Sequence, residues 1–391
     1  MMNEWKEVKL GEVIHVEMGQ SPKSEFYNTE GAGLPFLQGN RTFGDKYPTI
    51  DTYCTDIKKI ANKNDILMSV RAPVGDLNIA NRKICIGRGL CSMNFKNNNT
   101  MYLYYVLKQN IAKLINRESG TVFGSVNKKD ILGLEVLYTQ NELEQKAIAD
   151  TLSCLDDKIE INNKINKNLE AQAQAIFKSW FVDFEPFQDG EFVDSEMGRI
   201  PKGWRVGTLG EVADIQMGQS PKGISYNEDK IGTVFYQGRT DFGIRYPKVR
   251  LYTTDPKRMA NKNDILLSVR APVGDINIAG EICCIGRGLA SLKSKIKCNS
   301  FVLYYLLILR DKFDIYNGEG TVFGSINKDA LNNIKIIIPQ EKIIFDFQTI
   351  VESIDSCIQI NSKEAQILTD IRDILLPNLM NGEIRVPMEV E

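Results

Sequence analysis

The sequence predicts an α+β protein of two similar α/β lobes, each followed by a long helix, with the two helices pairing as an antiparallel coiled coil. Three observations carry that prediction. Roughly the first 170 residues are written again about 200 positions later. Within each copy, short β-type runs bounded by turn residues accompany one apolar stretch of helical length. After each copy the apolar spacing changes to a heptad pattern. The chain therefore divides into a first lobe at 1–140, a first long helix at 141–185, a linker at 186–204, a second lobe at 205–340, and a second long helix with a tail at 341–391.

The repeat is read directly. MGQSPK at Met18 to Lys23 returns at Met217 to Lys222, and ANKNDILMSVRAPVGD at Ala61 to Asp76 returns as ANKNDILLSVRAPVGD at Ala260 to Asp275. CIGRGL at Cys85 to Leu90 returns at Cys284 to Leu289, and GTVFGSVNK at Gly120 to Lys128 returns as GTVFGSINK at Gly320 to Lys328. The unit is domain-sized and should fold by itself. Its copies agree best in loops, so the loops carry the shared task.

Each lobe opens with a tryptophan and a strand-like run, Trp5 to Val16 and Trp204 to Ile215, broken by Gly and Pro in GQSPK. Ile66 to Val70 and Ile84 to Ile86 read as strands, and Met101 to Ile115 with Phe301 to Ile315 as one helix per lobe. In the first connector Leu152, Leu155, Ile159, Asn162, Asn166, Leu169, Ala173, Ile176 and Trp180 fall three and four apart; Val351, Ile354, Ile358, Asn361, Ala365 and Leu368 answer in the second. This is a heptad seam without Gly or Pro. Asn162 and Asn361 sit at matching core-type positions: either a buried amide fixes register and orientation at a cost in stability, or each faces solvent. A helix of roughly 35 to 40 residues spans about 50 to 60 Å, so the pair is expected to act as a ruler with a lobe at each end. The segment from Glu185 to Trp204, rich in Pro, Gly and acids, reads as a linker that lets the chain return.

A chain of 391 residues with 43% hydrophobic content can bury two ordinary cores. No apolar run is long enough to cross a bilayer and no signal peptide opens the sequence, so a cytoplasmic protein is expected. Eight cysteines without CxxC spacing, beside a single histidine, speak against zinc and for reduced structural thiols. Net charge is -2 but segregated: residues 1–140 carry +4 and 205–338 carry +6, while 141–204 and 339–391 carry -6 each. Basic lobes suit a polyanion, and acidic connectors suit something else.

Catalysis finds little support. His15 is matched by Asp214, so no symmetric histidine site exists, and no phosphate-cradling glycine motif is present. Asp65, Asp76, Asp264 and Asp275 could hold Mg²⁺ but stand beside turn residues, where Asp has a structural reason to be. The repeated loops read better as grips on DNA. Gln38 and Gln237 are amides fit for adenine, each beside a glycine. Arg71, Arg270, Arg88 and Arg287 can fork onto guanine or phosphate. Ser21, Lys23, Ser220, Lys222, Ser125 and Ser325 are polar tips suited to phosphate. For each, the plainer reading is a turn residue that braces the lobe. The copies diverge most usefully where Asn40, Arg41 and Thr42 become Arg239, Thr240 and Asp241 between retained Phe-Gly and Tyr-Pro flanks. Arg41 and Arg239 are the cations there.

Two such lobes, each with a heptad helix, bearing GQSPK, SVRAPVGD, GRGL, GTVFGS and the join IPKGW at Ile200 to Trp204, resemble the specificity (S) subunit of a type I restriction-modification system. The resemblance covers essentially the whole chain. It implies that the lobes are target recognition domains and that the helices form an antiparallel spacer docking two methyltransferase (M) subunits. It also implies that the chain is non-catalytic and binds no cofactor. S-adenosylmethionine, ATP and Mg²⁺ would belong to M subunits and to restriction (R) motor-nuclease subunits, and double-stranded DNA would be read as a split target. Likeness of the lobes adds the expectation of near-identical half-sites in inverted orientation. The competing expectations are a two-lobed protein scaffold and a free-standing metal-dependent nuclease.

Overall fold

The computed structural model describes residues 5–96, 99–115, 124–317 and 324–387. The chain groups into two compact units, 1–162 with 364–391, and 163–363.

In the first unit a four-stranded antiparallel sheet runs in the order Ile14–Met18, Leu90–Phe95, Ile66–Ser69, Leu77–Ile79. A five-stranded sheet runs Tyr27–Asn28, Tyr53–Cys54, Leu34–Leu37, Ile84–Ile86, Ile60–Ala61, parallel where Phe36 faces Cys85. Trp5–Lys9 pairs separately with Glu135–Thr139. Because successive strand side chains point to opposite faces, ILMS at Ile66–Ser69 serves two cores. Ile66 and Met68 pack with the Thr100–Ile115 helix, while Leu67 packs with Ile84, Ile86 and Leu90. The second unit repeats this: Ile265 and Leu267 join its main core, and Leu266 joins Ile285 and Leu289. An uninterrupted apolar strand is what two covered faces require.

Three segments differ from the sequence expectation. The opening run is not one strand, because Leu10–Val13 and Leu209–Val212 each form a single helical turn between two strands. Glu211 accepts the Thr208 N–H at 2.9 Å to cap the second of these, and Leu10 and Leu209 are buried beneath the turns. In the second lobe the expected helix ends at Ile308. Leu309 takes φ -77°, ψ 0°, and the short Arg310–Phe313 helix follows, turning Phe313 fully into the core. The expected linker is an ordered hairpin, Phe192–Ser195 with Gly198–Pro201, turning at Gly198 with φ +96°. Phe184, Ile200 and Trp204 bury themselves in the second unit's core and fasten it.

The long helices are Glu142–Phe181 and Glu341–Met380, 40 residues each. Within the first unit Arg372 meets Asp156 at 2.7 Å and Asn162 donates to Glu364 at 2.7 Å. Within the second, Asn166 donates to Ser362 at 3.0 Å, and Phe177 and Phe347 have ring centroids 5.4 Å apart. In each unit residue numbers rise on one helix as they fall on the other, which is antiparallel pairing. Both helices complete both cores: Leu152 with Leu376, Leu379 and Met380 in one, Phe177 and Phe181 with Ile344, Phe347 and Val351 in the other. Asn162 is 1% exposed, and Asn361 donates to Asn166 Oδ1 at 3.0 Å.

Each lobe also grips its own helix through a tyrosine. Tyr105 donates to Asp156 at 2.8 Å and Tyr304 to Asp355 at 2.7 Å. Burial, then the Asp156 charge, holds the Tyr105 phenol well above its ordinary range. In the second lobe Arg245, 8% exposed, adds ion pairs to Glu170 and Asp355. Its counterpart Lys46 makes one pair, 2.6 Å from a half-exposed Asp157.

Candidate nucleic-acid interface

The repeated loops, scattered along the sequence, meet in space. Gly19 N–H donates to the Leu90 carbonyl at 2.9 Å, Gln20 N–H to Ile86 at 3.0 Å, and Gly89 N–H to Gln38 at 3.1 Å. Val70 N–H donates to Gly89 at 2.9 Å, and Val126 N–H to Val70 at 3.0 Å. This ladder joins GQSPK, Gln38-Gly39, GRG, SVRAPVGD and the stretch after Gly124 into one cluster. Glycine is required at the contacts. A Cβ on Gly19 would lie 2.1 Å from the Gly87 carbonyl oxygen, and one on Gly89 2.6 Å from that of Gln38. The second lobe repeats the arrangement, with Val269 N–H on Gly288 at 2.9 Å, Ile326 N–H on Val269 at 3.0 Å, and 2.2 Å from a Gly218 Cβ to the Gly286 oxygen.

Side chains lock the cluster. The Ser21 hydroxyl donates to Gln38 Oε1 at 2.9 Å and accepts the Arg88 backbone N–H at 3.0 Å. Ser220 accepts the Arg287 N–H at 3.1 Å. Arg71 bridges Ser125, and Arg270 bridges Ser325, as isolated antiparallel pairs. Gln38, Arg71, Arg88, Gln237, Arg270 and Arg287 are exposed. Among the described residues no carboxylate stands within 4.0 Å of those four guanidinium groups. Lys23, with an 81% exposed side chain, lies 3.7 Å from Glu25, and Lys222 is exposed on the matching turn. The remainder of GTVFGS, at 120–123 and 320–323, lies outside the described residues.

Bracing and exposure thus divide the predicted residues. Ser21 and Ser220 spend their hydroxyls inside the cluster, whereas the four arginines are exposed residues whose guanidinium groups take no part in that bracing. Asp65 and Asp264 accept the N–H of Asn62 and Asn261 at 2.8 and 2.7 Å beside Asn64 and Asn263, whose φ values are +73° and +69°. They brace turns, and burial holds both carboxyls above the usual range. Among the described residues no three His, Cys, Asp or Glu side chains gather as a metal site, and no helix is long and apolar enough to cross a membrane. An open groove of about 740 Å³ on the first lobe is lined by the cations Lys58, Lys59, Lys96 and Lys128 together with His15, Glu17 and Asp65.

The diverged tips flank the cluster. Arg41 pairs with Asp51 at 2.7 Å. In the second lobe Thr240 stands in place of Arg41, and Arg250, in place of Asp51, pairs with Asp241, in place of Thr42, at 3.0 Å. Arg239 pairs with Asp275. Sequence reasoning missed Arg245, whose partners lie 75 and 110 residues away. The signal available was only an arginine beside the Tyr-Pro flank.

Residues 2–171 and again 201–371 match the type I restriction modification DNA specificity domain. A Methanocaldococcus jannaschii protein assigned as the specificity subunit of the type I restriction enzyme MjaX is 36% identical over 73% of this chain and 68% of its own length. The MjaIX specificity subunit of the same organism is 28% identical over 98% of this chain and 94% of its own. The crystal structure of the type I restriction-modification S subunit from M. genitalium aligns at a TM-score of 0.62 and 20% identity, covering 96% of both chains, and so shares the fold. With the loop cluster and the helix pair built twice, and the family match covering both copies, this chain belongs to the type I restriction-modification specificity subunits.

Proposed function

We propose that this specificity subunit binds double-stranded DNA as a bipartite, near-palindromic target, one half-site per lobe, with the unread gap set by the long helices. The helices dock two methyltransferase subunits. In this reading the chain is non-catalytic and cytoplasmic. S-adenosylmethionine is used by the methyltransferase subunits, ATP and Mg²⁺ by the restriction subunits. The chain's part is recognition and placement.

The observation that carries the reading is the doubled cluster. Arg71 and Arg88 in one lobe, and Arg270 and Arg287 in the other, are exposed on backbones held by glycine contacts and by Ser21 or Ser220, with no carboxylate within 4.0 Å among the described residues. Gln38 and Gln237 stand beside them. Rigid, outward arginine and amide groups are what base edges and phosphates require. Ser125, Ser325, Lys23 and Lys222 supply backbone contacts at the periphery.

The test is the salt dependence of binding by the full-length chain to duplex DNA. Phosphate contacts make log affinity fall linearly with log salt, and a protein scaffold would bind its partner without that slope. Plasmid incubated with the chain and Mg²⁺ should stay intact; nicking would favour the nuclease alternative.

A further inference from the structure

Resting on the DNA-reading function proposed above, we infer that Asn40 and Arg239 are matched base-reading residues that make the two half-sites differ at one position, adenine under the first lobe and guanine under the second. The two positions are equivalent in backbone. Gly39 and Gly238 precede them with φ, ψ of -165°, -160° and -169°, -164°, and each opens a one-turn 3₁₀ helix, Asn40–Thr42 or Arg239–Asp241. Phe43 N–H donates to the Asn40 carbonyl at 2.9 Å, and Phe242 N–H to that of Arg239 at 2.9 Å.

Both side chains are tied to the same acceptor. Asn40 Nδ2 donates to Asp76 Oδ2 at 2.5 Å, and Arg239 Nη1 donates to Asp275, the residue matching Asp76. Those aspartates are themselves seated alike, with their backbone N–H groups on Ser69 and Ser268 at 2.9 Å. The backbone and the acceptor are shared, with one difference beside the tip: Asp275 also accepts from Arg310 at 3.1 Å.

The free valences left by the tether differ in kind. Asn40 keeps one N–H and the carbonyl Oδ1, a donor beside an acceptor, which complements adenine N7 and N6–H₂. Arg239 keeps four N–H groups and no acceptor, which complements guanine N7 and O6. Each aspartate fixes its side chain before contact, so little rotamer freedom remains to be lost on binding.

The experiment is selection of sequences from a randomised duplex library by the full-length chain and by N40R, N40Q and R239N. Arginine already occupies this backbone with the same acceptor in the second lobe, so N40R places a side chain that the scaffold accepts. The wild type should return half-sites alike except for one adenine-to-guanine difference. N40R should replace that adenine by guanine with a change in base preference of about tenfold or more, R239N should make both positions adenine, and N40Q should keep the wild-type pair. Selection by the wild type with the same bases returned by N40R and R239N overturns this inference and leaves DNA recognition standing. Failure of the wild type to enrich any sequence overturns both.

Discussion

The hydroxyl of Ser21 accepts the backbone N–H of Arg88 at 3.0 Å, so the loop is held by main chain and the guanidinium of Arg88 is left out of the brace. Ser220 and Arg287 repeat the relationship at 3.1 Å. Stability and recognition are thereby assigned to different atoms of one loop.

Arg88→Ala combined with Arg287→Ala should weaken duplex binding by about tenfold or more per lobe, while the unfolding free energy moves by no more than about 0.5 kcal/mol. Ser21→Ala should do the reverse in kind, removing about 1 kcal/mol by leaving Gln38 and the Arg88 amide unbraced. Binding isotherms and urea unfolding on the same samples distinguish the two. Unchanged affinity in a folded double variant would return the arginines to a structural role.

At equivalent positions, Arg245 and Lys46 should differ in cost. Arg245→Met strands Glu170 and Asp355 in a largely dry site and should destabilise by about 3 kcal/mol. Lys46→Met removes a pair with half-exposed Asp157 and should lose less than about 1 kcal/mol. Equal losses by denaturant titration would show that the buried hub contributes nothing beyond an ordinary surface pair.

The helix pair should set the gap. Deleting seven residues from each long helix shortens it by about 10 Å, equivalent to about three base pairs. The unread spacer of the recognised target should shorten accordingly. Target mapping with the shortened chain checks this, and an unchanged spacer contradicts it.

Asp65 and Asp264 give a pH signature with a definite sign. Burial raises both carboxyl pKa values, so the folded state keeps its protons to higher pH than the unfolded chain, whose groups ionise near the ordinary aspartate value of 3.8. Their contribution to stability is therefore full at low pH and is lost as pH rises through the raised folded pKa. The D65N, D264N double variant lacks that loss, so it should gain on the wild type across this window and hold a constant difference above it. Urea midpoints against pH that stay parallel throughout would count against the assignment.

Much of the architecture was legible because it is periodic. Leu152, Asn162, Ala173, Val351 and Ile358 announce the seam by spacing alone, and all five are buried. The loop cluster was legible only as agreement between copies, because its physical cause, glycine packed on a carbonyl, lies between segments as far apart as Gly19 and Gly87. Arg245 was not legible. A buried cation is specified by partners, here Glu170 and Asp355, that no local pattern connects to it. Leu10–Val13 escaped for the opposite reason, since a single capped turn is too short to interrupt an alternating pattern visibly. The hairpin from Phe192 to Pro201 escaped because Gly, Pro and acids signal turns, whereas its order comes from Ile200 and the neighbouring Trp204 reaching the core.

The central claim is tested most directly by mapping methylated bases across the host genome with this gene present and deleted. The account predicts that deletion removes one two-part motif, its halves nearly identical in inverted orientation and separated by a fixed unread gap. Loss of no motif, or of one whose halves are unrelated, would contradict it.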